Sequence, residues 1–136
     1  MRKTVMVGLI LALVVAYASD KVTHDSPQAA AEAFLSLIDQ GNYQESWLEA
    51  SQVLRDNVDA HQWAEHAGNY RNPLGVIESR KLDSIEFHDS LEDMPAGKYA
   101  FVIFDSVLAD GGSKSEMVGL KLDDGAIWRV IGYQTL

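Results

Sequence analysis

The stretch YAFVIFDSVL, residues 99–108, decides the fold, because aromatic and β-branched residues dominate it and favour an extended strand. Further extended runs lie on either side of it, at residues 76–87, 116–122 and 127–133. Turn signals separate the runs: Pro95-Ala96-Gly97, Asp110-Gly111-Gly112-Ser113 and Asp123-Asp124-Gly125. Consecutive strands joined by short loops predict a four-strand antiparallel meander.

Upstream of residue 76 the apolar residues recur at helical spacing and predict three amphipathic helices. Ser26-Pro27 is a helix start, and Gly41 supplies the residue that ends the first helix. The third helix opens near Asp59 and ends before Asn72-Pro73, because a residue that precedes proline is disfavoured in helical geometry. The second helix carries one apolar face, formed by Tyr43, Trp47, Ala50 and Leu54.

Helices followed by strands predict an α+β fold, with three N-terminal helices packed on one face of the meander. No internal repeat or linker interrupts residues 26–136, which are expected to form a single domain. The inward face of the sheet is expected to carry Trp128, Val130 and Gly132 together with Val118, Leu120 and Leu122. Ile131 and Tyr133 then belong to the opposite face.

The second face of the sheet is also expected to be apolar in part, because residues 99–108 are apolar on both faces. Three helices of this length cover one face of four strands, whereas an antiparallel sheet with a wet second face should alternate apolar and polar residues. We therefore expect part of that face to be covered by a homodimer through the sheets, or alternatively by an envelope protein partner.

The N-terminus has the pattern of a secretory signal peptide. Arg2 and Lys3 precede an apolar run, and Ala16-Tyr17-Ala18 provides small residues at the two positions that a signal peptidase reads. The apolar stretch is shorter than the roughly 20 residues that span a bilayer. We expect cleavage between Ala18 and Ser19 to remove residues 1–18, and residues 19–25 to be a flexible start. The protein is then expected to act in the periplasm or outside the cell, without an integral membrane segment.

Composition excludes several classes of function. The chain has 136 residues, a formal charge of −9 and no cysteine. The acidic balance disfavours a nucleic-acid binder, which needs a basic face. The missing thiols exclude disulfides, zinc–thiolate sites and cysteine nucleophiles. His61 and His66 are five residues apart on the third helix and point in different directions, while His61 and Glu65 fit a solvated pair. No metal and no cofactor are expected.

Three groups of residues carry a resemblance to known families. They are Asp39-Gln40-Gly41-Asn42-Tyr43, then Arg71-Asn72-Pro73-Leu74-Gly75 leading to Ser79-Arg80, and finally Trp128-Arg129-Val130-Ile131-Gly132-Tyr133. In that order they resemble a family of exported bacterial proteins catalogued as domain of unknown function 4019, over about residues 28–134. The order of the elements is also similar to the cone-shaped roll of nuclear transport factor 2-like and ketosteroid isomerase-like domains, although this chain lacks their early strand between the helices. The first resemblance implies no activity.

Catalytic chemistry has one candidate acid, Asp105, which interrupts the apolar strand. If its face of the sheet were enclosed, desolvation would raise the pKa of this carboxyl, and Tyr99 or Tyr133 could act as hydrogen-bond donor. The alternative is an acid at a solvated strand end, or in a salt bridge. Arg71 and Arg80 flank the step from helices to sheet, where they either clamp loop carbonyls and nearby acids or form a fork for a carboxylate or phosphate ligand.

Three classes of function remain open. The first is a non-catalytic envelope module that binds a protein partner or a small apolar ligand, with Arg71, Arg80, Tyr99 and Tyr133 as candidate ligand contacts. The second is a small isomerase or lyase that uses Asp105 and a tyrosine. The third is a structural envelope protein without a ligand. A deep pocket around Asp105 would favour the second class, and a filled roll would leave the first and the third.

Overall fold

The computed structural model describes residues 24–136, which form one layer of helices on one antiparallel sheet. The helices are α1 (Pro27–Asp39), α2 (Tyr43–Leu48), α3 (Gln52–Asn57) and α4 (Ala60–Arg71), followed by a 3₁₀ turn (Asn72–Leu74). The strands are β1 (Ile77–His88), β2 (Tyr99–Leu108), β3 (Ser113–Asp123) and β4 (Ile127–Thr135). The predicted signal peptide and its cleavage site at Ala18 and Ser19 lie outside the described residues.

The predicted starts of the first and last helices are confirmed by their N-terminal capping contacts. The Ser26 hydroxyl accepts the Ala29 N–H, and proline occupies the first turn of α1. Asp59 and Gln62 form a reciprocal capping box at the start of α4.

The middle helical run differs from the prediction, because it divides into α2 and α3 at Ser51. The Ser51 N–H donates to the Val130 carbonyl of β4 at 2.9 Å instead of continuing a helix. The Ser51 hydroxyl accepts the Val53 N–H at 3.3 Å and caps α3. Four helices therefore stand where three were predicted, and the break fastens the helical layer to the sheet.

The sheet has the predicted meander order β1-β2-β3-β4, with every neighbouring pair antiparallel. Its inner face and the helices enclose the hydrophobic core, in which Phe34 contacts Trp63 and Tyr133 with ring centroids 6.1 and 5.6 Å apart. Trp128 is buried in this core, as predicted. This core holds the helices against the sheet, because the burial of large aromatic side chains contributes strongly to the stability of the fold.

A β-bulge in β4 corrects the predicted faces of two residues. The register passes from Leu120 opposite Val130 to Gly119 opposite Gly132, so Ile131 is an extra residue in β4. Tyr133 therefore faces the core and is 2% exposed, whereas Gly132 leaves the inward face on which it was predicted. Simple alternation fails here because one inserted residue reverses every later side chain.

The outer face of the sheet is apolar in its centre, in agreement with the sequence. Phe101, Ile103, Met117 and Ile131 are half-buried around Gly119, where an added Cβ would lie 3.3 Å from the Phe101 ring. The chain itself covers one end of this face. The loop of residues 89–98 encloses Tyr99, whose hydroxyl donates to the Pro95 carbonyl at 2.6 Å.

Candidate functional site

A chain of four charged side chains links the helical layer to the sheet. We call it the ion-pair network, and its members are Asp39, Arg71, Arg80 and Glu116. Asp39 ends α1, Arg71 ends α4, Arg80 belongs to β1 and Glu116 belongs to β3. The network therefore joins two helices to two strands that are far apart in the sequence.

Glu116 is the most enclosed member, with 0% of its surface exposed. Its carboxylate accepts hydrogen bonds from Arg80 Nε at 2.7 Å, from the Ser106 hydroxyl at 2.5 Å and from the Tyr133 hydroxyl at 2.5 Å. Burial by itself would raise the pKa of this carboxyl, but the three donors outweigh burial and the pKa is lowered. Glu116 is therefore a buried carboxylate that stays ionised.

Arg80 bridges the two acids of the network. Its Nη1 and Nη2 donate to the two Asp39 carboxylate oxygens at 2.6 and 2.8 Å, while its Nε donates to Glu116. Although burial disfavours the charge of the guanidinium, the hydrogen bonds to Asp39 and Glu116 raise its pKa further above its ordinary value. Burial also opposes the charge of Asp39, but the bonds from Arg80 and Arg71 lower the pKa of that carboxyl.

Arg71 clamps the step from the helices into the sheet. Its Nε donates to Asp39 at 3.1 Å, and its Nη1 donates to the Gly75 carbonyl at 2.7 Å. Gly75 has φ +65°, a conformation that glycine adopts without strain. The two arginines thus bind acids and a carbonyl of the protein itself, which is the clamp that the sequence offered as the alternative to a ligand fork.

The chemistry open to the network is limited by its own hydrogen bonds. Two arginines and two acids balance in charge, and the hydroxyl of Tyr133 is committed to Glu116. Burial and the Glu116 carboxylate raise the pKa of Tyr133, so this phenol holds its proton. An ionised acid with three donors is a poor general base, because protonation would break bonds that favour the charged form. The arrangement is a stabilising clamp.

Asp105 lies on the other face of the sheet and is exposed. The Ser115 hydroxyl donates to its carboxylate at 3.5 Å. Tyr133 faces the core and donates to Glu116, so the sheet lies between it and Asp105. The hydroxyl of Tyr99 donates to the Pro95 carbonyl instead. The enclosure on which the isomerase hypothesis depends does not surround Asp105 within residues 24–136.

The histidines of the described residues do not join a group of metal-ligating side chains. His61 and Glu65 form a surface pair at 3.4 Å, with 82% and 69% of their side chains exposed, which fits the solvated pair expected from their spacing. His66 is exposed as well, and its ring stacks on that of Trp63. In the described part of the chain, no group of three metal-ligating side chains comes together. No helix there is long and apolar enough to cross a membrane.

Two members of the site, Glu116 and its partner Ser106, were missed at the sequence level, and Asp39 was noted only within a motif. A readable signal existed, since Glu116 shares its side of β3 with Val118 and Leu120, and Ser106 shares its side of β2 with Phe104. A polar residue in an inward series predicts a buried polar partner. Pairing Glu116 with Arg80 required the strand register, which the sequence does not contain.

Two concave spaces adjoin the core and differ in size. The first is a cavity of about 40 Å³ between α1 and β4, lined by residues that include Phe34, Leu37 and Trp128. The second is an open groove of about 430 Å³ between α1 and β1. We call it the α1–β1 groove. Leu35, Leu82 and Phe104 line it, and the Asp39–Arg80 ion pair borders one end.

The two edges of the sheet are in different states. Three contacts close the edge of β4: the Trp128 N–H donates to the His24 carbonyl, the Val130 carbonyl accepts from Ser51, and His66 Nε2 lies 3.2 Å from the Tyr133 carbonyl oxygen. On β1, no hydrogen bond among residues 24–136 reaches the backbone of Ile77–His88 apart from its ladder with β2. The groove runs along this open edge.

Comparison with known proteins assigns the family but no activity. Neither the curated proteins nor the solved structures contain a match to this chain. The model of one family, described as protein of unknown function (DUF4019), matches residues 30–133. This range includes all four members of the ion-pair network and the motifs on which the resemblance was based. The chain belongs to the DUF4019 family of proteins of unknown function.

Proposed function

We propose that this chain is an exported, non-catalytic module that binds a strand of a protein partner along the open edge of β1. The observation that carries the proposal is the contrast between the two edges of the sheet. Contacts from His24, Ser51 and His66 close the edge of β4, whereas among residues 24–136 the outer backbone groups of β1 are unpaired and lie beside a groove. An extended peptide adds to such an edge through main-chain hydrogen bonds and places alternate side chains in neighbouring pockets.

The size and shape of the concave spaces favour a protein strand over a small apolar ligand. Ligand pockets generally hold roughly 300–1,000 Å³ and enclose most of the ligand. The cavity between α1 and β4, at about 40 Å³, is smaller than that range. The α1–β1 groove is large enough but open along its side, which suits an extended chain that runs past it.

The chemistry of the groove supports specificity without catalysis. Its floor is apolar at Leu35, Leu82 and Phe104, while Arg80 and Asp39 at its end are already bonded to each other and to Glu116. Since those charged groups are bonded to one another, they can orient a bound strand, and the lowered pKa of both carboxyls makes them weak proton acceptors. Export remains supported by the signal-peptide pattern at residues 1–18.

Photo-crosslinking in the cell envelope tests the proposal. The full-length chain would carry the photo-reactive amino acid p-benzoylphenylalanine in place of Glu32, an exposed residue of α1 that lines the groove. A matched control carries it in place of Gln44, which is exposed on α2 and does not line the groove. We expect a protein adduct from position 32 whose partner half maps by mass spectrometry to one short segment. Equal adducts from both positions, or none from position 32, would contradict the proposal.

A further inference from the structure

We infer that the strand bound at the open edge is β1 of a second copy of this chain, so that two sheets join into one across a two-fold axis. The inference rests on the proposed function, because it names the partner of the same edge. It follows from the sequence of β1 and from the position of one bulge.

The segment KLDSIE, residues 81–86, is complementary to itself when read in opposite directions. If two copies pair antiparallel about an axis between Asp83 and Ser84, Lys81 of each copy faces Glu86 of the other. Leu82 likewise faces Ile85, and both pairs occur twice. Opposite charges and apolar pairs directly across a ladder stabilise strand pairing, and like charges oppose it.

The bulge in β1 makes this register possible. In a regular strand, residues an odd number of positions apart point to opposite faces, so Lys81 and Glu86 could not meet across the axis. The register shift between Leu82 and Ser84 changes this. Lys81 and Glu86 pair with Asp105 and Phe101 of β2 and thus share the outer face, whereas Leu82 and Ile85 pair with Phe104 and Val102 and share the inner face.

The charged pair is available for this contact. Lys81 and Glu86 are both exposed, and neither forms an ion pair within residues 24–136. A lysine and a bulge on an edge strand also discourage indiscriminate pairing. Here they restrict the edge to a strand that carries the matching acid at the matching position, and the second copy of β1 is such a strand.

The α1–β1 groove lies on the side where the second strand would place its inner-face residues. Leu82 of the chain forms part of its floor and is half-buried. Further along the same strand, the inner-face residue Phe87 is 65% exposed, and its ring lies edge-on to that of Trp128 with centroids 6.1 Å apart. A second copy of β1 would add apolar contacts on this side of the sheet.

Charge reversal in two separate variants tests the inference in solution. Lys81→Glu gives a strand with acids at both positions, and Glu86→Lys gives a strand with two lysines. Each variant alone should dissociate about ten-fold more readily than the unchanged protein in sedimentation equilibrium, because two attractive pairs become repulsive. An equimolar mixture of the two variants should form a heterodimer, since all four charges are then matched. A dimer that ignores both reversals would overturn the inference, since its interface would lie elsewhere.

A cysteine placed at the axis gives a second, independent readout. The chain has no cysteine, so any disulfide reports on the introduced residue alone. The axis brings Ser84 of the two copies side by side, within the roughly 4.4–6.8 Å between Cα atoms that a disulfide requires. We expect Ser84→Cys to form a disulfide-linked dimer under mild oxidation. The matched control is Ser79→Cys on the same strand, where the two copies are on the order of 30 Å apart and no link should form.

Failure of the inference can be separated from failure of the proposed function. If the unchanged protein is monomeric and Ser84→Cys does not cross-link, the second copy is not the partner. An adduct with a different protein from position 32 would then retain the proposed function, while the absence of any adduct from that position would remove both. An adduct of twice the mass of the chain supports both.

Discussion

The two edge strands of this sheet, β1 and β4, differ in how the rest of the chain bonds to their outer backbone groups. Along β4, the backbone groups that point away from the sheet bond to His24, Ser51 and His66. Along β1, the helical layer stops short and leaves a groove, and the backbone edge has no partner within the described residues. A buried backbone N–H or C=O group needs a hydrogen-bond partner within the protein, whereas an exposed one can bond to water until a partner strand binds. This difference is the reason why we place the proposed partner strand on β1 and not on β4.

The ion-pair network explains why the open side still has a defined shape. Arg80 is a β1 residue, and its bonds to Asp39 and Glu116 tie the strand to α1 and β3. The groove is therefore held open by fixed contacts at one end. Breaking the network should therefore destabilise the whole fold, whereas changing exposed β1 side chains should not.

The largest effect is expected from removing the central arginine. Arg80→Ala leaves Glu116 as a buried charge without its main partner, which should cost about 3–5 kcal/mol of unfolding free energy. Urea unfolding followed by circular dichroism measures this loss. The matched control is Lys81→Ala, an exposed neighbour on β1, which should stay within about 0.5 kcal/mol when both variants are compared as dilute monomers. Similar losses in both variants would mean that the network does not hold β1.

A second pair of substitutions compares the closed and the open side directly. Trp128 and Phe87 contact each other through their rings, but Trp128 is 8% exposed and Phe87 is 65% exposed. Trp128→Ala should cost roughly 3–5 kcal/mol, because it leaves a cavity in the core beside β4. Phe87→Ala should cost under about 1 kcal/mol in the monomer, as a mostly solvated side chain loses little burial. A near-neutral Trp128→Ala would contradict the position of the core.

The pH dependence of stability should follow the acids of the network. The pKa values of Asp39 and Glu116 are lowered in the folded state, so the unfolded chain binds more protons in acid. Their contribution is complete above the ordinary pKa values of 3.8 and 4.5 and is lost as the pH falls through the folded values. The unfolding free energy should therefore decline below about pH 4.5, and that of Glu116→Gln should decline less steeply. A variant that shows the same slope as the unchanged protein would show that Glu116 is not involved.

Tyr133 gives the opposite sign at high pH. Its pKa is raised by burial and by Glu116, so the folded state retains a proton that the unfolded state loses above about pH 10. Stability should fall as the pH rises beyond that value. Tyr133→Phe should remove this decline, although it also removes one donor to Glu116 and should lower stability at neutral pH by about 1–3 kcal/mol.

The smallest effect concerns the seam between the helices and β4. Ser51→Ala removes the cap of α3 but keeps the backbone N–H that bonds to Val130, so we expect a loss of about 0.5–2 kcal/mol. Ser84→Ala on β1 is the matched control and should be neutral within about 0.5 kcal/mol in the dilute monomer. Equal effects would weaken the distinction between a closed and an open side.

Much of the fold could be predicted from the sequence, because its signals are local. The turn residues and the strand-forming run of residues 99–108 predicted the meander, and Ser26-Pro27 and Asp59 predicted helix starts that the structure confirms. The break at Ser51 was not predicted, because it depends on a hydrogen bond to a strand nearly 80 residues away. The prediction that Tyr133 lies on the outer face was wrong for a similar reason, since the bulge in β4 is set by the pairing of that strand with β3.

The candidate site divides in the same way. Arg71 and Arg80 were singled out by their positions, and a clamp on acids and carbonyls was one of the two roles considered for them. Glu116 was not identified, because its role follows from strand register and from the Arg80 side chain that register brings beside it. Asp105 was identified because an acid within an apolar strand is visible in the sequence, but the sequence does not tell which face of a sheet is enclosed.

Amide hydrogen exchange over a dilution series tests the central claim most directly, since β1 and β4 can be followed in one sample. The Trp128 N–H bonds to His24 within the chain, so its exchange should be slow and independent of protein concentration. The amides of β1 that point away from β2 should exchange quickly in dilute protein and become protected as the concentration rises, because a second copy then covers them. Exchange of β1 that is the same at every concentration would contradict pairing of its edge with a second copy, and exchange as slow as that of β4 at the lowest concentration would contradict an open edge altogether.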